Sequence, residues 1–123
     1  MRKLNIAIVG TGFGLSVHLP ALQDSNQFNV ESILVHNKNK LTEISQRTGI
    51  VCQSNWNDFI SNERIDGIIL ATPPHARFKL AKEALEKNKH LLLEKPVALS
   101  YCEIQELQRI SLTRNLIVCV DFE

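Results

Sequence analysis

The sequence has almost no net charge, few cysteines and no long apolar run. Fourteen Lys and Arg against thirteen Asp and Glu leave +1 over 123 residues, so no long-range field marks the chain for nucleic acid or for an anionic membrane surface. Cys52, Cys102 and Cys119 are odd in number and widely spaced, and they form neither a pair nor a zinc spacing. Set in apolar runs, they fit buried thiols in a reducing cytosol better than a disulfide framework. No apolar stretch approaches the roughly 20 residues of a membrane span. Arg2 and Lys3 lead into a short β-like run rather than a signal core. A soluble, cytoplasmic protein with no nucleic-acid or membrane partner and no metal site is expected.

What is present is enough apolar material, 44% of residues, to bury a core in one domain spanning residues 1–123. Runs of strand length recur at 4–9, 30–35, 67–71, 90–93 and 116–120, separated by segments of helical length. This alternation predicts an α/β fold with a parallel sheet. The runs are continuous rather than alternating with polar residues, so both faces of the sheet should be covered, giving a doubly wound, three-layer α/β/α arrangement. Phe78, Ala81 and Leu85 share a face between His75 and Asn88, which predicts one helix. Ser100 with Glu103 forms a capping box ahead of Ile104, Leu107 and Ile110, which predicts another. Residues 41–48 are expected to form a shorter helix, and residues 55–61 a turn or single helical stretch in which Trp56 and Phe59 read as core anchors. The last run leads to Asp121, Phe122 and Glu123 with no helix after it, the pattern expected of a polypeptide cut where another element should follow.

The first strand runs directly into Gly10-Thr11-Gly12-Phe13-Gly14. A glycine turn between strand and helix presents backbone N–H groups and the positive helix end to a phosphate. In Gly-x-Gly-x-x-Gly the third glycine packs helix against strand. Here that place is Leu15, and Gly14 stands one residue early. Alone the turn is weak evidence, since methyltransferases that bind S-adenosylmethionine carry a similar one. Those usually have an acid ending the preceding strand, where this chain has Val9. His18, beside Val17 and Leu19, is open between a structural residue and a ligand, and Pro20 should kink or end the first helix locally.

An acid about 20 residues after the glycines holds the ribose 2′-hydroxyl of NAD. This chain has His36-Asn37-Lys38-Asn39-Lys40 there. Glu31 opens the second strand, roughly 16 Å from its binding end. The polar, cationic stretch suits a 2′-phosphate, so NADP(H) is favoured and NAD(H) remains possible. The alternative is a solvated turn whose lysines start the next helix.

Three stretches together resemble one family: the glycine turn with His18-Leu19-Pro20-Ala21-Leu22, then Asp66 to Pro74 ending Ala71-Thr72-Pro73-Pro74, then Lys89 to Pro96 ending Glu94-Lys95-Pro96. They are similar to the Gfo/Idh/MocA oxidoreductases, named for glucose-fructose oxidoreductase, inositol dehydrogenase and a rhizopine-catabolism protein. The resemblance covers nearly the whole chain. It implies a Rossmann domain whose cofactor contacts lie at the turn through Leu15, at His36 to Lys38, at Ala71 to His75 and at Glu94 to Pro96. It also implies a larger C-terminal substrate domain, absent here, through whose sheet the full-length protein forms a homo-oligomer. Lys95 would stand near nicotinamide and substrate, positioned by Glu94 and Pro96, and Lys95-Pro96 is a candidate cis bond. Lys95 also follows a buried-looking strand at the edge where ligands of parallel sheets collect, and an ammonium there can bond a substrate hydroxyl and move its proton. Where the family often has a histidine, three residues after the second proline, this chain has Arg77, with His75 just after the prolines. The implied activity is hydride transfer between NAD(P) and a sugar, cyclitol or related small substrate, with this piece inactive alone. A non-catalytic nucleotide-sensing module of the same fold is the alternative.

Overall fold

The computed structural model describes residues 2–12 and 14–121. Six parallel strands form one sheet in the order β3-β2-β1-β4-β5-β6. They are β1 (Leu4–Val9), β2 (Phe28–Leu34), β3 (Cys52–Gln53), β4 (Gly67–Leu70), β5 (His90–Glu94) and β6 (Val118–Asp121). The helices are α1 (Leu19–Gln23), α2 (Leu41–Thr48), α3 (Trp56–Ile60), α4 (Pro74–Glu86) and α5 (Tyr101–Arg114). A π-helical turn, Gly14–His18, leads into α1, and a 3-10 turn, Lys38–Lys40, leads into α2.

The period-two alternation of the strands divides the core. Ala7, Val9, Ile68, Leu70, Leu91 and Leu93 pack with Phe59, Ala81, Leu85, Leu107 and Ile110 from α3, α4 and α5. Ile8 and Ile69 face the other way, against Leu19 of α1, and Ile33 and Val35 meet Ile44 of α2. This is the doubly wound arrangement expected, but the cover is uneven. On the α1 face, β4 to β6 border an apolar recess of about 380 Å³ lined in part by Leu4, Ile69, Leu92, Ile117 and Cys119.

Several boundaries move. β2 starts two residues early, β5 reaches Glu94, and β3, a two-residue strand, was not anticipated. Ser100 caps α5 by accepting the Glu103 N–H at 3.2 Å, while the Glu103 carboxylate accepts from Leu99 N at 3.0 Å rather than from Ser100. Leu107 and Ile110 are buried, but Ile104 is exposed. All three cysteines are free, as expected, yet Cys102 and Cys119 are exposed and Cys52 half-buried, which corrects the expectation of buried thiols. Cys119 is the partner of Leu92 in the β5–β6 register, on the incompletely covered face. Pro20 does not end the first helix. It sits in the first turn of α1, where a missing N–H costs least. Among the described residues no helix is long and apolar enough to cross a membrane.

At the edge where the strands begin, Lys89 is buried and its ammonium donates to the carbonyls of Asn62 at 2.7 Å and Ile65 at 2.9 Å. Burial pushes its pKa down, with Asp66 and Glu63 opposing. Trp56 and Phe59 are core anchors as read, their ring centroids 6.0 Å apart. Phe59 is fully buried, so Phe59→Ala should lower unfolding free energy by about 3–5 kcal/mol. A urea transition displaced by less than 1 kcal/mol (about one-third of that effect or less) would place Phe59 outside the core.

Candidate functional site

Because every strand is parallel, Val9, Leu34, Leu70, Glu94 and Asp121 all end on one edge. The order reverses at β1, whose neighbours are β2 and β4, and the loops leaving β1 and β4 flank this switch point, the place where an open parallel sheet is expected to form its ligand crevice. Gly10 forms one wall. Its φ is 112°, and a Cβ there would lie 2.3 Å from the Ala71 carbonyl oxygen, so neither the conformation nor the space admits a side chain. Ala71 N donates to Val9 O at 2.9 Å, fixing the two loops against each other.

Gly14 resolves the displaced third glycine. A Cβ there would come 2.8 Å from Ile8 Cγ2, so Gly14 performs the close helix-to-strand packing one residue early. Leu15 instead packs half-buried between α1 and α2. The shift coincides with the π turn, which takes one more residue per hydrogen-bonded loop than an α-helix. Thr11 and Gly12 are exposed, nothing stands within 4 Å of a Cβ built on Gly12, and a cleft of about 500 Å³ runs from them along Ser16 and Leu19 toward Arg47. Phe13 lies outside the described residues.

At the end of β2, residues 36–40 are exposed. Asn37 caps the 3-10 turn, its side-chain oxygen accepting from Asn39 N at 3.0 Å, so part of its polar capacity is already used. Lys38 and Lys40 stand on this turn in solvent, as a helix start and as a cationic surface at once. Glu31 pairs with Arg64 Nε at 3.1 Å and not with this end of the strand.

The loops after β4 and β5 converge on Arg77. Its guanidinium donates to the carbonyls of Thr72 and Pro96, and to that of Glu94 at 2.6 Å. Only 2% of Arg77 is exposed. Burial pushes its pKa down, opposed by Glu94, and a guanidinium remains charged throughout. Arg77 is therefore a tie between Ala71-Thr72-Pro73-Pro74 and Glu94-Lys95-Pro96, a role that sequence left undetermined. His75 is exposed on the first turn of α4, Lys95 and Pro96 are exposed at the edge, and the Lys95-Pro96 bond is cis. His18 is buried, its Nε2 2.7 Å from Glu94 Oε1 and 3.6 Å from Asp121 Oδ2.

The edge fits a dinucleotide in two respects. Open space lies over Gly12, and Thr72 Oγ1, buried beside the crevice, has no hydrogen-bond partner among the described residues. Gly10 and Gly14 pack the glycine turn against Ala71 and Ile8, and the Arg77 tie joins the loop after β4 to Glu94 and Pro96. Arg77→Met should lower unfolding free energy by about 2–4 kcal/mol, because it strands buried carbonyls on two loops. Urea denaturation with a loss below 1 kcal/mol (about half of that range's lower bound) would show that the loops stand without it.

An uncharacterized oxidoreductase of Synechocystis sp. is 34% identical over 122 residues, 98% of this chain and 33% of that protein. Galactose 1-dehydrogenase of Pseudomonas fluorescens is 29% identical over 98 residues, 78% of this chain and 30% of that protein. The chain thus spans about a third of the length of these relatives. The structure of biliverdin reductase from Synechocystis sp., in complex with biliverdin and NADP+, superposes with a TM-score of 0.89 at 24% identity, over 96% of this chain and 37% of that one, a likeness of fold. The model of the oxidoreductase family with an NAD-binding Rossmann fold matches residues 4–122, and the chain belongs to that family, Gfo/Idh/MocA.

Proposed function

We propose that the chain is the cofactor domain of an oxidoreductase and binds NADP(H) in preference to NAD(H). The observation that carries this is the crevice edge itself. A glycine turn pressed against Ala71 leaves open space over Gly12, and a cationic turn without a carboxylate ends β2. The backbone N–H groups of the turn would bond the pyrophosphate. His36, the Asn37 amide and Lys38 would take the 2′-phosphate, and Thr72 Oγ1 would find in the bound cofactor the partner it lacks. The NADP+ held by the fold relative supports the same choice, and the shared family leaves no room for the methyltransferase alternative.

A bound nicotinamide supplies the carbon that accepts or gives the hydride. Lys95 would donate from Nζ to the substrate oxygen, hold it in place and carry its proton. Glu94 and Pro96 fix the backbone on either side of Lys95. The substrate we assign is a sugar, cyclitol or related small molecule, a class to which galactose 1-dehydrogenase points by name. The rest of its pocket belongs to a further domain of a longer protein, through which subunits associate.

Fluorescence titration of the dihydronicotinamide tests the cofactor choice. NADPH should bind about tenfold more tightly than NADH, and His36→Asp should reverse the order through repulsion of the 2′-phosphate. Tighter NADH binding by the unaltered chain contradicts the proposal. For the lysine, Lys95→Ala in the longer protein should reduce turnover by about 10²-fold or more, and retained turnover would remove it from the chemistry.

A further inference from the structure

Glu94 and Asp121 are register partners on neighbouring strands β5 and β6, so their side chains leave the sheet on the same face. Leu92, two residues before Glu94, packs in the cluster that holds Leu19 and Leu15, so this is the face covered by α1. Two carboxylates side by side on one face repel. What stands over them is His18, the last residue of the π turn, with Nε2 2.7 Å from Glu94 Oε1 and 3.6 Å from Asp121 Oδ2. The π turn sets the direction of this ring, because i→i+5 winding places residue 18 at a different angle from that of an α-helix begun at Gly14.

We infer that His18 is a positioning residue for the Glu94-Lys95-Pro96 loop, tying it to the helical run that begins in the glycine turn. Glu94 is then gripped from both faces of the sheet. Arg77 of α4 holds its carbonyl at 2.6 Å, and His18 holds its carboxylate. The residue after it, Lys95, inherits a fixed backbone. Among the described residues, the carboxylates paired with the ring are those of Glu94 and Asp121. In the Nε2–H tautomer the ring donates to Glu94 Oε1.

A His, a Glu and an Asp with ligand atoms all within 4.8 Å could also hold a metal ion. The 2.7 Å separation argues for direct bonding. Two ligands of one zinc at about 2.1 Å in tetrahedral geometry stand roughly 3.4 Å apart.

This inference rests on the proposal that the Glu94-Lys95-Pro96 loop borders the nicotinamide end of a bound cofactor. Its test compares His18→Gln with His18→Asn in the full chain, titrated with NADPH and with 2′,5′-ADP, which lacks the nicotinamide end. Both amides are neutral, but only Gln places its nitrogen where Nε2 stands and can donate to Glu94. NADPH should bind the Asn variant about tenfold more weakly and the Gln variant within about threefold of the unaltered chain, while 2′,5′-ADP binds all three alike. Equal NADPH affinity in the Asn variant overturns the inference and leaves the cofactor assignment standing. Equal loss of both ligands would mean a general collapse of the turn, and it overturns the inference too. Stoichiometric zinc retained on dialysis by the unaltered chain, and lost in both variants, would show a metal site in place of the hydrogen bond. An unaltered chain that binds neither ligand defeats the cofactor assignment, and the inference with it.

Discussion

One buried guanidinium organises the edge of the sheet where the chemistry would take place. Arg77 donates to three carbonyls, those of Thr72, Glu94 and Pro96, which bring together two chain segments separated by 24 residues from Thr72 to Pro96. Prolines at 73, 74 and 96 remove N–H donors from both, so their carbonyls have few local partners. A rigid fork with five donors supplies what the backbone lacks, where a single ammonium would reach fewer acceptors in fixed directions. The Gly10–Ala71 approach then brings the glycine turn against the same β4 loop. In this way the glycine turn and the Lys95 loop become parts of one assembly.

Much of this was legible in the sequence for a definite reason. Five of the six strands are apolar runs long enough to stand out, and buried parallel strands have no polar alternation to obscure them. Ser100 with Glu103 marked the start of α5, and the shared face of Phe78, Ala81 and Leu85 marked the body of α4. β3 carried no signal, because two residues paired at a sheet edge are defined by their partner and not by composition. The cysteines misled because a hydrophobic neighbourhood in sequence says nothing about which face of a strand or helix is covered. Cys119 and Cys102 lie on exposed positions of β6 and α5.

The site divides in the same way. Gly10, Gly12, Lys95 and the loop after β4 were identifiable from local motifs, since their requirements are local: conformation, space, or a charge following a strand. Gly14 looked like a defect in the motif, and only the close contact with Ile8 shows it to be the motif's third glycine in another place. His18 and Arg77 were ambiguous because their partners lie far along the chain, 76 residues away for His18 and Glu94. A polar residue that becomes buried only when distant loops converge leaves no periodic trace.

The central claim is that the glycine turn, the end of β2 and the two tied loops form a single dinucleotide site. Amide chemical-shift mapping of the labelled chain with NADP+ tests it most directly. The account predicts a continuous set of perturbed amides at residues 10–12, 36–38, 71–72 and 94–95, and little change at the apolar recess bordered by Ile117. Shifts concentrated at that recess, or confined to the glycine turn with the loops after β4 and β5 unmoved, would contradict it.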